Sequence, residues 1–259
     1  MHRLRLYLRL THLAGVLLIG ILLGSMVSVL ELLSRSDLLG VRQRLSRWFM
    51  QRLSQALPLQ VRITGVPPLQ PMLWVSNHVS WLDIPLIGML APLSFLSKSE
   101  VRHWPLLGWL ASKAGTLFIR RGANECARVN QQLSAHLQQN RHLLLFPEGS
   151  TSDGSSLRTF HPRLLASAID SGVALQPVAI RYVRNGKLCQ LSPFIDDDDL
   201  LNHLLRLLCS EAVEVEIHLL PPISSQDTSR NELARQAKEM IAQALYGPVS
   251  VGEPDAQPA

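Results

Sequence analysis

Cysteine is scarce in this 259-residue sequence, which contains only three. The odd number argues against a framework of disulfides, and the spacing of Cys126, Cys189 and Cys209 is not that of a metal site. We therefore expect the main body of the chain to lie in a reducing, cytosolic environment. No internal repeat is evident either, and the length allows one large domain or two small ones.

Charge is absent from residues 13–30, of which eleven are Leu, Ile or Val. Eighteen helical residues span about 27 Å, close to the roughly 30 Å of a bilayer's hydrocarbon core. A signal peptide usually has a shorter apolar region, and no convincing small-x-small cleavage site precedes Glu31. A buried core helix is disfavoured because arginines flank both ends. The segment is predicted to be a membrane anchor, either spanning or monotopic, since basic flanks on both sides leave its orientation open.

The next segment, residues 35–54, combines a helical apolar stripe with arginines off that stripe or at its edges. Such a helix suits the headgroup region of an anionic membrane. An ordinary helix packed on the domain fits the pattern equally well. The chain as a whole is basic, with 25 Lys and Arg against 20 Asp and Glu. Because the anchor is adjacent, we expect these arginines to serve membrane lipid, and no nucleic acid partner. The stripe comprises Leu38, Val41, Leu45, Trp48, Phe49 and Leu53.

Short apolar runs alternate with helical patterns from about residue 56 to 246, which predicts an α/β domain with a mixed, largely parallel sheet flanked by helices. We expect residues 1–55 to form the anchor and the basic helix, and residues 247–259 to be a disordered tail. The predicted strands are 60–64, 72–76, 93–97, 116–120, 142–146, 174–182 and 213–219. The predicted helices are 82–90, 124–139, 161–171, 198–209 and 228–245.

A polar stretch follows the predicted strand at 72–76. It begins with Asn77 and His78 and places Asp83 five residues after the histidine. On a continuous helix the two side chains would lie roughly 140° apart, so they can pair only if the chain bends between them. A carboxylate so placed would fix the histidine's tautomer and raise its basicity, as a general base requires. The alternative is that His78 caps a helix and Asp83 is a solvated acid of its first turn.

The predicted strand at 116–120 ends in two adjacent arginines. The planar guanidinium fork suits a phosphate because it donates two hydrogen bonds in parallel. Arg120 and Arg121 should point to opposite faces of the strand, so only one of them enters a site. Two solvated arginines at a strand end are the alternative.

Residues 143–154 run from an apolar strand through a Pro-Glu-Gly sequence into a turn rich in Ser, Thr and Gly. Such a turn offers backbone N–H groups and hydroxyls to an anion. Glu148 near a phosphate would need a cationic partner, which Arg121 could supply. A plain loop would explain the composition, but not why it follows a strand that ends as the one before His78 does.

These stretches resemble, in order, the four sequence blocks of the glycerolipid acyltransferase family, which includes the bacterial 1-acyl-glycerol-3-phosphate acyltransferases. The likeness covers roughly residues 60–185, and Lys98, Pro105 and Gly108 also match residues common in the family. The four blocks are Asn77-His78 with Asp83, residues 115–121, Phe146-Pro147-Glu148-Gly149, and residues 176–180.

The resemblance implies transfer of a fatty acyl group from acyl carrier protein or coenzyme A to a lysophospholipid hydroxyl at the bacterial inner membrane, with the catalytic domain on the cytoplasmic side. His78 would take the hydroxyl's proton and Asp83 would support the resulting imidazolium. No cofactor is expected beyond the acyl donor. The residues expected to bind substrate are Asn77, Gly115, Phe118, Arg121, Phe146, Pro147, Glu148, Gly149, Ser150 and Thr151.

Neither a metal nor an acyl-enzyme is expected. No Ser or Cys in the four blocks has the setting of a nucleophile elbow, so transfer should be direct. The acidic run at residues 196–199 has no partner cluster, and we interpret it as the start of a helix.

The third block departs from the family at Ser150-Thr151, where phosphate-accepting members commonly have Thr-Arg. The missing arginine weakens the case for lysophosphatidic acid as acceptor, and the variant resembles lyso-ornithine lipid acyltransferases, whose acceptor headgroup has a carboxylate and an amine. Phosphatidic acid synthesis is favoured slightly as the commoner task of the family. A thioesterase and a non-catalytic, membrane-tethered module that binds lipid or acyl carrier protein are the remaining alternatives.

Overall fold

A computed structural model describes residues 2–34, 37–119, 126–195 and 198–247. Arg120, Arg121 and most of the predicted tail therefore lie outside the described residues. The α-helices are α1 His2–Leu33, α2 Leu39–Ala56, α3 Asp83–Gly88, α4 Leu107–Lys113, α5 Cys126–Gln138, α6 Ala166–Ser171, α7 Leu200–Cys209 and α8 Arg230–Tyr246, with 3₁₀ turns at Ser99–His103 and Pro162–Leu165. The strands are β1 Leu59–Thr64, β2 Leu73–Ser76, β3 Leu93–Lys98, β4 Leu117–Ile119, β5 His142–Leu145, β6 Leu175–Arg184, β7 Lys187–Leu188 and β8 Val213–Leu219.

The strands form one mixed sheet in the order β1-β8-β6-β2-β5-β3-β4, with β7 paired to β6. Strands β6, β2, β5, β3 and β4 are mutually parallel, whereas β8 runs antiparallel to β6 and carries β1 in parallel with it. The predicted α/β class with a largely parallel sheet is confirmed. The strand β2 lies between β6 and β5, in the middle of the sheet. Its carboxyl end therefore lies at the centre of the edge where sites of α/β proteins are usually built.

Helices cover both faces of the sheet, which is why its central strands are apolar without alternation. Every residue of β2 and of β5 is buried. Trp74 and Leu144 pack into one core layer with Leu82 and Leu86. Leu73 points into the other layer, with α5 and α8. The short helix α3 thus enters the same layer as Trp74.

The helix α1 packs one face on the body of the protein. Leu13, Val16 and Val27 are buried on that face. A Cβ added at Gly20 would lie 2.5 Å from the Phe49 ring of α2. One turn further on, a Cβ added at Gly24 would lie 2.6 Å from the Trp109 ring of α4. The glycines of the apolar segment therefore permit close helix packing.

The opposite face of α1 exposes large apolar side chains, among them Leu18 at 58% and Leu22 at 60%. Among the described residues, residues 4–33 form the one helix long and apolar enough to cross a membrane, and an 18-residue window within it has a mean hydropathy of 2.5. The helix is longer than the predicted 13–30, and its two faces have different surroundings.

The basic helix α2 packs on the domain. Phe49, Met50 and Leu53 contact the core layer that contains Trp74. The Arg42 guanidinium donates to the Ser112 and Lys113 carbonyls at the end of α4 and pairs with Glu31 at 3.1 Å. The packed-helix alternative thus describes much of this element, although Trp48 remains 39% exposed.

Candidate active site

His78 lies in the turn between β2 and α3. The Asp83 N–H donates to the Ser80 carbonyl at 3.1 Å, so the chain bends back before the helix begins. The bend brings the His78 Nδ1 to 2.7 Å from the Asp83 Oδ2. The two side chains are therefore paired, in the manner that their sequence spacing allows only with a turn.

The Asp83 carboxylate is fully buried and accepts hydrogen bonds on both oxygens. Its Oδ2 also accepts from the Val79 N–H at 2.8 Å and from the Ser80 N–H at 3.0 Å. Its Oδ1 accepts from the Tyr182 hydroxyl at 2.6 Å. Asp83 is therefore not a solvated first-turn acid, since a buried carboxylate is tolerated only when such donors satisfy it.

Burial and the neighbouring Asp83 carboxylate raise the pKa of Tyr182 well above its usual value. Both causes disfavour a second negative charge at this position. The phenol therefore keeps its proton and acts as a donor to Asp83.

The pairing assigns the tautomer of His78. A carboxylate accepts only, so the Nδ1 must carry the hydrogen and the Nε2 of the neutral ring presents a lone pair. Within the part of the chain that the structure describes, the Nε2 has no hydrogen-bond partner. The side chain is 17% exposed, so the Nε2 is available to a bound hydroxyl.

Phe146 follows β5 and stacks on the imidazole, with 3.9 Å between ring centroids and 10° between planes. We predicted this residue as a substrate contact. Its ring covers one face of His78 and limits that ring's rotation, which makes Phe146 a support of the histidine. The substrate contact stays a prediction.

Glu148 braces the same histidine through the backbone. Its Oε1 accepts from the His78 N–H at 2.8 Å and its Oε2 accepts from the Arg158 N–H at 2.8 Å. The side chain is only 4% exposed, and burial raises the pKa of Glu148 against the opposing effect of the two N–H donors. Two backbone donors thus satisfy this carboxylate. The pairing with Arg121 stays a prediction, because Arg121 lies outside the described residues.

The turn after Glu148 is tied down at several points. Gly149 has a φ of +74°, which residues with a side chain rarely adopt. The buried Pro147 accepts from the His161 N–H at 2.9 Å. The Ser150 hydroxyl accepts from the Arg158 guanidinium at 3.2 Å.

Thr151 is half-buried, and its hydroxyl donates to the Phe194 carbonyl. The Phe194 N–H in turn donates to the Val79 carbonyl at 2.9 Å. One residue of the loop after β7 therefore joins the third block to the residue next to His78. The Ser152 N–H, at 2.8 Å from the His78 carbonyl, makes a second link between the same two segments.

Asn77 was also predicted to contact substrate, and the structure gives it another task. Its amide oxygen accepts from the Ile180 N–H and its amide nitrogen donates to the Ile180 carbonyl, both at 2.9 Å. The side chain is buried. Asn77 therefore fastens the end of β2 to β6, inside the fourth block, and positions the histidine that follows it.

The second block lies further away. Gly115, with a φ of +86°, links α4 to β4, and the half-buried Phe118 lies within β4. Strands β5 and β3 separate β4 from β2. At about 4.8 Å per strand the backbones are roughly 14 Å apart, so these residues reach His78 only through a substrate of some length. The structure thus brings the first, third and fourth blocks together and places the described part of the second, residues 115–119, at the sheet edge.

Four residues near the site were not foreseen: Tyr182, Arg158, Ser152 and Phe194. Tyr182 is the last residue of the predicted strand 174–182, which was the available signal, although β6 continues to Arg184. For Phe194 the sequence offers no comparable signal, since it lies in a loop.

Within the described ranges there is no cluster of three or more His, Cys, Asp or Glu side chains that could hold a metal ion. The acidic run is partly outside those ranges, but Asp199 caps α7 by accepting from the Asn202 N–H at 2.9 Å. The interpretation of this run as a helix start is confirmed for Asp199.

Known proteins resemble this chain in both sequence and fold. The family model described as Acyltransferase matches residues 59–181. A lyso-ornithine lipid O-acyltransferase of Pseudomonas aeruginosa is 58% identical over 95% of this chain and 96% of its own. A 1-acyl-sn-glycerol-3-phosphate acyltransferase of Neisseria gonorrhoeae is 30% identical over 75% of this chain and 76% of its own. The crystal structure of the 1-acyl-sn-glycerophosphate acyltransferase of Thermotoga maritima aligns with a TM-score of 0.68 at 21% identity, covering 95% of this chain and 96% of that one, and so shares the fold. The chain therefore belongs to the acyltransferase family whose four blocks its sequence resembles.

Proposed function

We propose that this acyltransferase moves a fatty acyl group from a thioester donor to the hydroxyl of a lyso-ornithine lipid, with His78 as general base. The observation that carries the proposal is the pairing of the His78 Nδ1 with a buried Asp83, which leaves the Nε2 as a free acceptor at the sheet edge. A module that only binds lipid has no need of such a pair.

The reaction needs one proton carrier. The Nε2 of His78 takes the proton of the acceptor hydroxyl as its oxygen attacks the thioester carbonyl, and Asp83 stabilises the imidazolium. The tetrahedral intermediate then collapses, the carbon–sulfur bond breaks, and the imidazolium returns the proton to the leaving thiolate. An ester and a free thiol result, so a histidine alone closes the cycle. The donor is the thioester of acyl carrier protein or of coenzyme A.

The acceptor preference follows from the third block and from the relatives. The Thr151 hydroxyl is turned to the Phe194 carbonyl, and no guanidinium extends from position 151. The Arg158 guanidinium instead lies beside Ser150. A guanidinium beside hydroxyl groups suits the carboxylate of an ornithine headgroup. The relative named for that acceptor, at 58% identity, supports this choice over the slight preference for phosphatidic acid that the sequence suggests.

Lysophosphatidic acid is the second candidate, because relatives in Neisseria are named for that activity. In this case the Arg158 guanidinium would face a phosphomonoester, with Arg121 as a further cation from the second block.

We also propose that the exposed face of α1 lies in the bacterial inner membrane, which contains the lipid acceptor of the enzyme. Leu8, Leu18 and Leu22 are each more than half exposed on that face. Residues 1–55 would be the membrane-attached part, residues 56–246 the catalytic domain on the cytoplasmic side, and residues 247–259 a tail. Two features support the cytoplasmic position of the catalytic domain: cysteine is scarce, and the thioester donors are cytosolic.

The test is incubation of the purified full-length enzyme with labelled acyl carrier protein or acyl-coenzyme A and a panel of lysolipids, with products identified by mass. We expect acylated ornithine lipid as the main product. His78→Ala should lower the rate by roughly 10²–10⁴ or more, the usual contribution of a general base. The exposed His103 offers the matched control, His103→Ala, which should keep full activity. Near-normal transfer by a folded His78→Ala protein would exclude the mechanism, and release of free fatty acid alone would indicate a thioesterase.

Thr151→Arg separates the two acceptors. If the lack of an arginine at position 151 disfavours a phosphomonoester acceptor, the new guanidinium should shift the relative kcat/KM towards lysophosphatidic acid. The shift should be tenfold or more, since a charge-assisted bond is worth roughly 1.5–3 kcal/mol. Competition between the two lysolipids measures the shift. Unmodified enzyme that prefers lysophosphatidic acid, with little change on substitution, would assign the second candidate.

A further inference from the structure

The far oxygen of Asp83 is held by a residue from another part of the chain. The Tyr182 hydroxyl donates to the Oδ1 at 2.6 Å, while the His78 Nδ1 and two backbone N–H groups share the Oδ2. Within the described residues, Tyr182 is thus the side chain opposite His78 on the same carboxylate. Histidine, aspartate and tyrosine form one continuous hydrogen-bonded chain.

The tyrosine is rigidly placed. It lies in β6, in register with Val215 of β8, and only 3% of it is exposed. Its carbonyl accepts from the Cys189 N–H at 2.9 Å. Because the ring is packed in the core, its hydroxyl is held against Asp83. It therefore restrains the carboxylate plane, and through it the direction of the His78 ring.

The hydroxyl also changes the chemistry of the pair. A donor to the Oδ1 draws negative charge away from the Oδ2, so the carboxylate attracts the proton of His78 less strongly. The histidine–aspartate pair then holds its extra proton less tightly. Glu148 is a further titratable group at His78, through the His78 N–H at 2.8 Å, and a change at Tyr182 leaves that contact in place.

We propose that Tyr182 is a positioning residue of the transfer reaction, whose hydroxyl fixes Asp83 and thereby sets the orientation and the proton affinity of His78. This inference rests on the proposed role of His78 as the general base. Tyr182 touches neither substrate nor reacting atoms in this account, since it is buried behind Asp83.

The first test is Tyr182→Phe in the full-length enzyme, which keeps the ring and removes only the hydroxyl. On the pH plateau we expect kcat to fall about tenfold and the KM of donor and acceptor to stay unchanged. The acidic limb of kcat against pH should move to higher pH by about one unit, because the pair regains proton affinity when a charge-assisted bond is lost. Tyr246→Phe is the matched control, since that hydroxyl also makes one bond, to the Gly154 carbonyl at 3.0 Å. It should leave the acidic limb in place.

The second test strengthens the bond instead of removing it. The sequence has three tyrosines, so a Tyr7→Phe/Tyr246→Phe protein grown on 3-fluorotyrosine carries the fluorinated ring at position 182 alone. Fluorine makes the phenol a stronger donor. The acidic limb should then move to lower pH, opposite to the effect of Tyr182→Phe. This arm also decides the question if Tyr182→Phe does not fold.

A folded Tyr182→Phe enzyme with unchanged kcat and an unmoved acidic limb would overturn the inference. So would a lower melting temperature with normal activity per folded molecule, which would make the hydroxyl purely structural. An acidic limb that fluorotyrosine leaves in place would do the same. Failure of the proposed function is distinguishable, because His78→Ala would then remain active. Inactive His78→Ala together with normal Tyr182→Phe rejects the role of Tyr182 alone.

Discussion

Replacing Glu148 by Gln tests whether the third block supports the histidine or binds the acceptor. The carboxylate accepts from two backbone donors, the N–H of His78 and the N–H of Arg158, each at 2.8 Å. An amide of the same shape has one oxygen, which can serve one donor. Its NH₂ group then faces the other N–H, so one backbone donor loses its partner.

The magnitude follows from that count. Loss of one hydrogen bond to a charged group costs about 1.5–3 kcal/mol, and both bonds are part-buried. At about 2–4 °C per kcal/mol for a domain of this size, a loss of about 2 kcal/mol lowers the melting temperature by about 4–8 °C. Because one of the two donors is the backbone of His78, the general base should also be misplaced. We expect kcat to fall roughly ten- to a hundredfold, as small misplacements of a catalytic group commonly cause.

The assay combines the melting temperature in detergent with kcat and the KM for the acceptor. Glu239→Gln is the control, because that carboxylate is exposed on α8 and, among the described residues, pairs with Arg235 alone, in a contact that solvent screens. The alternative assignment, in which Glu148 faces the acceptor headgroup, predicts a raised KM with unchanged stability and kcat. That result for Glu148→Gln would refute the bracing role.

Two further predictions concern the membrane face and acid stability. The double variant Leu18→Glu/Leu22→Glu should bind vesicles at least tenfold more weakly in a flotation assay, because both side chains are exposed on α1 and a charge is costly in hydrocarbon. Its melting temperature in detergent should not fall. Unchanged flotation would exclude this face as the membrane contact. Burial lowers the pKa of His136 from 6.5 to about 4, so stability is full above pH 6.5 and is lost as the pH falls towards 4. Between pH 7.5 and pH 5 this histidine should lower the free energy of unfolding by about 2 kcal/mol. Urea titrations at the two pH values should show that His136→Gln abolishes this loss. Equal losses in both proteins would contradict the assignment.

The sheet was largely predictable because its strands are short apolar runs that end at polar residues. The seven predicted strands agree with β1–β6 and β8 to within two residues at each end. The hairpin strand β7, Lys187–Leu188, is too short and too exposed to show a pattern. Helix α4 was missed because its seven residues, Leu107–Lys113, are too few for a helical period to stand out.

The long apolar helix shows a different limit of sequence reasoning. Composition predicts that residues 13–30 are helical and apolar, but it does not distinguish lipid from protein as the surrounding medium. In the structure the helix has two different faces: Gly20 packs against Phe49 on one, while Leu18 and Leu22 are exposed on the other. Glycine on one face and leucine on the other is a pattern that the sequence holds, yet only the packing of α2 shows what it means.

The active site divides in the same way between local and long-range information. The pairing of His78 with Asp83 depends on a turn of five residues, so spacing and polarity were enough to propose it. Tyr182 reaches Asp83 across 99 residues of chain. The alternation of β6 places Tyr182 on the same face as Ile180, but a strand has two faces, and the sequence does not say which of them meets α3. That choice depends on the order β6-β2-β5 and on Trp74 pointing into the layer of α3. A general base can therefore be found from its neighbours in sequence, whereas the groups that set its proton affinity are found only from its neighbours in space.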